Sequence, residues 1–212
     1  NPMSYENVGG DFEEQEDLAS SVSLVTVTSA YPISQIFKTE VTAKTQIYLH
    51  HTVSGQNIQA VLNDWSKRSD KVSTHYVTNN NGEAEQVFPD ENWANQLGVD
   101  AEAFSANSIP YKNLNRTALG IELCSYGPLQ FDKASDTFKS VAFPKNTIPN
   151  NEVVQPVDKN NNPISYDGVE FYQKYSNSQI ENVKNIMLRW MEKYNIPFIY
   201  NYKELFPSVH ET

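Results

Sequence analysis

Gln46-Ile47-Tyr48-Leu49-His50-His51-Thr52 is an apolar run that ends in two adjacent histidines. Its length and its Ile, Tyr, Leu and Thr content are those of a strand buried on both faces. Strand side chains alternate, so Tyr48, His50 and Thr52 share one face while Ile47, Leu49 and His51 share the other. Only one histidine of the pair can point into a site. The run by itself leaves open which one, and whether either is more than structural.

Downstream, Ser54-Gly55 breaks the pattern and Asn57 is placed to cap a helix. Ile58, Val61, Leu62 and Trp65 then recur at helical spacing, and Lys67 and Arg68 suit the negative end of its dipole. Val72 to Thr78 reads as a strand, Asn79-Asn80-Asn81-Gly82 as a turn, and Glu83 to Phe88 as the partner strand of a β-hairpin. Asp90 to Asn115 has no sustained period and reads as a long surface loop, a place where function concentrates. Ala118 to Cys124 is the next strand, with Leu119, Ile121 and Leu123 on one face and Gly120, Glu122 and Cys124 on the other. From Tyr126 to Tyr175 the wealth of Pro, Asn, Asp and aromatic residues predicts an irregular insertion with short strands. Ser176 and Gln179 have capping-box spacing. Ile180, Val183, Met187, Trp190, Met191 and Tyr194 carry a helix up to Asn195-Ile196-Pro197, and Ile196 to Tyr200 is a candidate final strand.

Upstream, Asn1 to Ser21 is acidic and polar around Gly9-Gly10 and cannot bury enough apolar surface to offset its ordering entropy. Residues 1–30 are therefore expected to be an acidic flexible tail or linker, with Val22 to Val27 as a candidate edge strand and the globular part beginning near Tyr31. Asn1, with the first methionine at Met3, suggests a cut or processed boundary, and no secretory signal stands at the start of the chain as given. The 212 residues suffice for one core. A net charge of −10 without a Lys/Arg cluster lacks the footprint of a nucleic-acid binder. No apolar run approaches the ~20 residues that span a bilayer. The single cysteine, Cys124, excludes an internal disulfide framework.

The residues that bear chemistry are His50, His51, His75, Glu122, Cys124 and His210. A hydrolytic zinc site needs about three protein ligands, an open position and a carboxylate to take a proton from water. Glu122, on a buried strand, either has its pKa raised toward neutrality and acts as that base, or is paired with Lys112 or Arg116. His75 reads as a core histidine bonded to backbone, Cys124 as a packing residue, and His210 as a solvated residue near the end of the sequence.

Three stretches taken together carry a resemblance: Ile47 to Gly55, Val72 to Val77 with the Asn81-Gly82 turn, and Leu119 to Leu123. In that order, and with a helix after the first, they resemble the zinc-dependent N-acetylmuramoyl-L-alanine amidases of the amidase-2 family, which includes phage endolysins and peptidoglycan recognition proteins. The likeness covers roughly residues 31 to 200. Trp93 to Gly98, Tyr126 to Leu129 and Tyr172 to Tyr175 look most like the lysins of bacterial viruses and their bacterial relatives. The resemblance implies an α/β fold with a central mixed β-sheet flanked by helices over residues 31–212. It implies zinc held by His50, Glu122 as general base, and hydrolysis of the amide joining N-acetylmuramic acid to L-alanine in peptidoglycan. Thr74, Trp93 and Gln96 fall at substrate positions, although relatives have a histidine at the place of Gln96 and some have a tyrosine at that of Thr74. The family's second and third ligands follow its last strand. That ligand loop is not visible in this sequence, and His210 is the candidate for the second ligand. The implied setting is the bacterial cell wall, for a phage-encoded or virion-associated lysin or a secreted enzyme. The competing reading is an inactive peptidoglycan-binding or virion structural module on the same fold, and a third is a hydrolase of another amide. His51 is expected on the packing face, where its loss mainly costs stability.

Overall fold

A computed structural model describes residues 36–97, 114–158, 160–165 and 168–198, together with the backbone of 25–26. The central sheet has five strands, β1 (Val25–Thr26), β2 (Gln46–His51), β3 (Tyr76–Thr78), β4 (Ala84–Gln86) and β5 (Ala118–Leu123), in the order β1-β4-β3-β5-β2. The strands β2, β5 and β3 run parallel, β4 is antiparallel to β3, and β1 lies parallel to β4. The sheet is mixed, as expected. Helices α1 (Ile58–Ser66) and α3 (Asn177–Tyr194) flank it, and the single turn α2 (Leu114–Thr117) leads into β5.

Each helix forms for reasons visible in its residues. The Asn57 side chain accepts from the Ala60 amide at 3.0 Å and starts α1, whose Ile58, Val61, Leu62 and Trp65 pack with Val77, Val87, Phe88 and Cys124. The opposite face of the sheet gives Tyr76, Leu119, Ile121 and Leu123 to α3, which adds Val183, Ile186 and Trp190. Alternation along β5 thus divides the two cores: odd positions 119, 121 and 123 meet α3, and Gly120, Glu122 and Cys124 look toward the side of α1. At the hairpin, Gly82 takes φ +81°, and a Cβ there would lie 3.1 Å from Ser178 of α3.

Four expectations need correction. Among the described residues β2 is an edge strand: Leu49 is 51 % exposed and His51 is exposed, so the run is not buried on both faces. Its apolar content is used unevenly, with Ile47 against the α3 core and Leu49 toward solvent. The capping box is half made. Ser176 Oγ accepts from the Gln179 amide at 3.1 Å, but the Ser176 amide donates to Asn80 Oδ1, and Gln179 Nε2 donates to the carbonyls of Thr78 and Cys124. Gln179, fully buried, closes the ends of two strands instead of its own helix. The insertion has the short strands expected of it, but they are ordered rather than irregular: β6 (Pro128–Asp132), β7 (Thr137–Ser140), β8 (Thr147–Ile148), β9 (Val153–Val154) and β10 (Phe171–Gln173) form a second, antiparallel sheet in the order β8-β7-β6-β10-β9. Phe131 faces Phe138 across β6 and β7 with ring centroids 5.1 Å apart, and Phe138 meets Phe171 at 5.0 Å. Residues 196–198 have no regular structure, and the remainder of the expected last strand lies outside the described residues.

His75 is the core histidine that its context suggests. It has no exposed surface, its Nδ1 accepts from the Gly120 amide, and its Nε2 then donates to the Asn92 carbonyl, both at 3.1 Å. Burial, helped by the nearby Lys44 charge, pushes its pKa down to about 3. A histidine depressed below its unfolded value of about 6.5 contributes stability above that pH and loses it as pH falls toward 3. Urea denaturation at pH 7 and pH 4.5 should therefore differ by about 2–3 kcal/mol from this group, and a His75→Phe variant should lose much of that difference. Equal acid sensitivity in the variant would contradict the assignment.

Candidate active site

The site is set by the register of β2 on β5. His50 lies opposite Glu122, which in turn lies opposite Val77 of β3, so the two side chains share the α1 side of the sheet. They stand at the carboxyl ends of two parallel strands, where open α/β sheets place their ligands. A cleft of about 500 Å³ is formed there by Leu49, His50, His51, Glu122, Leu123 and Tyr175.

Burial dominates the electrostatics of the pair. Burial pushes the Glu122 carboxyl up to about 7, with no charged partner offsetting it among the described residues. Arg116 is engaged instead with Glu40, and Lys112 lies outside the described residues. Burial also lowers the His50 pKa; the Gln96 amide is close enough to favour the charged ring, while the neighbouring His51 opposes it. Even so, the buried His50 Nε2 meets no hydrogen-bond partner among the described residues. An orphaned ring nitrogen of this kind is costly unless something supplies a partner.

Gln96 is held over β5. Its amide donates to Asn115 Oδ1 at 3.0 Å and its side chain lies on Gly120, where a Cβ would come within 1.8 Å of Gln96 Oε1. Glycine permits this approach. Gln96 Oε1 is buried and unpartnered as well. Thr74, 2 % exposed, turns its methyl toward Gly120 and donates its hydroxyl to the Tyr76 carbonyl at 2.8 Å. Trp93 is tied elsewhere, its Nε1 donating to Glu40 at 3.0 Å and Lys38 lying 5.9 Å above its ring. Cys124 is fully buried, and burial together with Glu122 pushes its thiol up to about 12, which removes it as a nucleophile. His210 lies outside the described residues. His51 is exposed in the cleft and beside Gly127, not packed in a core, so its replacement should cost little stability.

Two further contributors stand outside the candidate residues read from the sequence, although Tyr175 ends the lysin-like stretch Tyr172 to Tyr175. Tyr175 lines the cleft from just beyond β10, and burial with the Glu122 charge raises its phenol pKa. Lys44, only 4 % exposed, donates to the carbonyls of Asn92 and Arg116 and to Thr42 Oγ1. It joins the entry to β2, the segment that carries Gln96, and the turn before β5. Neither residue belongs to a periodic pattern.

A model of the amidase-2 family, N-acetylmuramoyl-L-alanine amidase, matches residues 41–206. The chain belongs to this family. The match spans the whole path from the entry of β2 past α3. Solved structures similar to the chain include that of PlyL, at 16 % identity and a TM-score of 0.42 over 81 % of this chain and 73 % of that one. The endolysin amidase LysCS from Clostridium intestinale URNW matches at 14 % identity and a TM-score of 0.42 over 87 % and 83 %. The amidase LysC from the same strain matches at 12 % and 0.40 over 88 % and 97 %. Comparison with curated proteins gives no match.

His50 Nε2 is buried without a hydrogen-bond partner, and among the described residues no group of three His, Cys, Asp or Glu side chains converges. In the metal-free protein, the raised Glu122 pKa means that its contribution to stability is complete below pH 4.5 and lost as pH rises through 7. Glu122→Gln should then raise stability at pH 8 by on the order of 2 kcal/mol in chemical denaturation, with a smaller gain at pH 5. An equal or negative effect at pH 8 would contradict the burial of an unpaired carboxylate.

Proposed function

We propose that this chain hydrolyses the amide between N-acetylmuramic acid and L-alanine in peptidoglycan, with His50 as a zinc ligand and Glu122 as the general base. The observation that carries the reading is the side-by-side placement of an orphaned imidazole and a carboxyl poised near neutrality at the ends of β2 and β5. Zinc, when bound, supplies Lewis-acid polarisation of the amide carbonyl. A zinc ion there would need further ligands from outside the described residues, His210 being the candidate for the second. Glu122 accepts the proton of the attacking water and returns it to the departing L-alanine nitrogen, a double duty that needs a pKa near the working pH. Gln96, with an unpaired acceptor near His50, is placed to orient substrate, and the walls of the cleft exclude part of the surrounding water. Thr74 and Trp93 act at one remove, shaping the strand and the loop that hold Glu122 and Gln96. The substrate places the protein at the bacterial cell wall, as a phage-encoded or virion-associated lysin or a secreted enzyme. Among the described residues no helix is long and apolar enough to cross a membrane.

Incubation with purified cell walls should release peptides with a new L-alanine amino terminus when zinc is present and not after chelation. Glu122→Gln should lower the rate by about 10²-fold or more while wall binding persists. Wall binding without release at saturating zinc would overturn the enzymatic reading in favour of a binding module on the same fold.

A further inference from the structure

Lys44 is a buried cation that hydrogen-bond satisfaction does not call for. Its ammonium makes no ion pair among the described residues; Asp90 and Glu91 act on it only at longer range, and burial outweighs them. The Asn92 carbonyl, which accepts from Lys44 at 2.5 Å, also accepts from His75 Nε2 at 3.1 Å. The Arg116 carbonyl, which accepts from Lys44 at 3.1 Å, also accepts from the Thr42 hydroxyl. Each carbonyl would keep a donor if the ammonium were absent. A buried charge of this kind can often be exchanged for an apolar side chain of similar size with little or no loss of stability. Its role lies in what it connects.

Those connections close a ring around Gln96. Lys44 holds Asn92, at the start of the segment that leads to Gln96. It also holds Arg116, and the side chain of the adjacent Asn115 accepts from the amides of Gln96 and Leu97 at 3.0 and 3.1 Å. The Gln96 segment is thus pinned at both ends through one ammonium at the entry to β2, the strand of His50. A third link comes from His75, which shares the Asn92 carbonyl and whose Nδ1 accepts from the amide of Gly120, the residue on which the Gln96 side chain lies. Charge-assisted hydrogen bonds are shorter and about twice as strong as neutral ones, so one ammonium sets two carbonyls at a fixed separation more firmly than their neutral donors do. We propose that Lys44 is a positioning residue of the site: by holding Asn92 and Arg116 together it fixes the Gln96 side chain over Gly120 in the orientation that meets substrate. The substrate in this statement rests on the reading under Proposed function; the hold on Gln96 does not.

The test compares Lys44→Met with the wild type, each as the full chain, by residue-resolved amide hydrogen exchange and by chemical denaturation at pH 7. The variant should unfold at the same or a higher denaturant concentration. Its Gln96 and Leu97 amides should exchange about tenfold faster or more, while those of Ile186 and Trp190 in α3 change by less than about twofold. A large fall in the unfolding midpoint, failure to fold, faster exchange throughout the chain, or unchanged exchange at Gln96 would each overturn the proposal. Turnover of a soluble N-acetylmuramyl-L-alanyl peptide gives a second arm. Lys44→Met should lower kcat/KM about tenfold when Gln96 is present and less than about twofold in a Gln96→Ala background, because a residue that acts through Gln96 has nothing left to position there. Equal losses in the two backgrounds would also overturn it. The predicted change in exchange in a chain without turnover would sink the hydrolytic reading and leave the hold on Gln96 standing. Turnover with unchanged exchange at Gln96 would do the reverse.

Discussion

The parallel pairing of β2 with β5 is the constraint on which the rest depends. It sets six residues of one strand against six of the other, from Gln46 opposite Ala118 to His51 opposite Leu123. Because strand side chains alternate, a slip of one residue would exchange His50 for His51 beside Glu122 and turn Tyr48 away from the α1 side. Among the described residues β2 has this one partner, so the register needs support from beyond the ladder. Thr45 donates to the Thr117 carbonyl before the strand, and Thr52 and Ser54 donate to Leu123 and Ser125 after it. Buried Lys44 fixes the entry by spreading its ammonium over neutral acceptors of two other segments, at a desolvation cost that lowers its own pKa to about 8.

The same register gathers groups that burial leaves uncompensated. A carboxyl without a cation and an imidazole nitrogen without a partner among the described residues lie on adjacent strands, above a glycine that lets Gln96 come close. Cores on both faces supply the stability that tolerates this arrangement: α1 packs over Val77 and Cys124, and α3 packs over Tyr76, Leu119 and Ile121. Function here depends on local frustration held in place by a well-packed frame.

Much of that frame was legible in the sequence because its signals are local. The period of Ile58, Val61, Leu62 and Trp65 specifies α1, the Asn81-Gly82 turn marks the hairpin, and alternation along Ala118 to Leu123 separates Glu122 from the apolar face. What escaped depends on distant partners. The apolar content of β2 does not reveal that β5 lies between it and the rest of the sheet, which leaves β2 at the edge and Leu49 exposed. Gln179 has capping-box spacing, yet the open carbonyls of Thr78 and Cys124 compete for its side chain and win. The accessory sheet has strands of two to five residues among Asn and Pro, too short for periodicity, and it is the pairing of Phe131, Phe138 and Phe171 across strands that organises them. Family resemblance assigned His50 rather than His51 to the site, where alternation alone left the pair open. The structure adds the orphaned nitrogen of His50 and corrects the packing role of His51 to an exposed one.

The central claim, that the β2:β5 register presents His50 and not His51 as the metal ligand, is tested most directly by zinc stoichiometry and affinity on the purified chain and its two alanine variants. The account predicts near one zinc per chain for the wild type and for His51→Ala, and loss of tight zinc from His50→Ala with its fold intact. Retention of zinc by His50→Ala, or its loss from His51→Ala, would contradict the account.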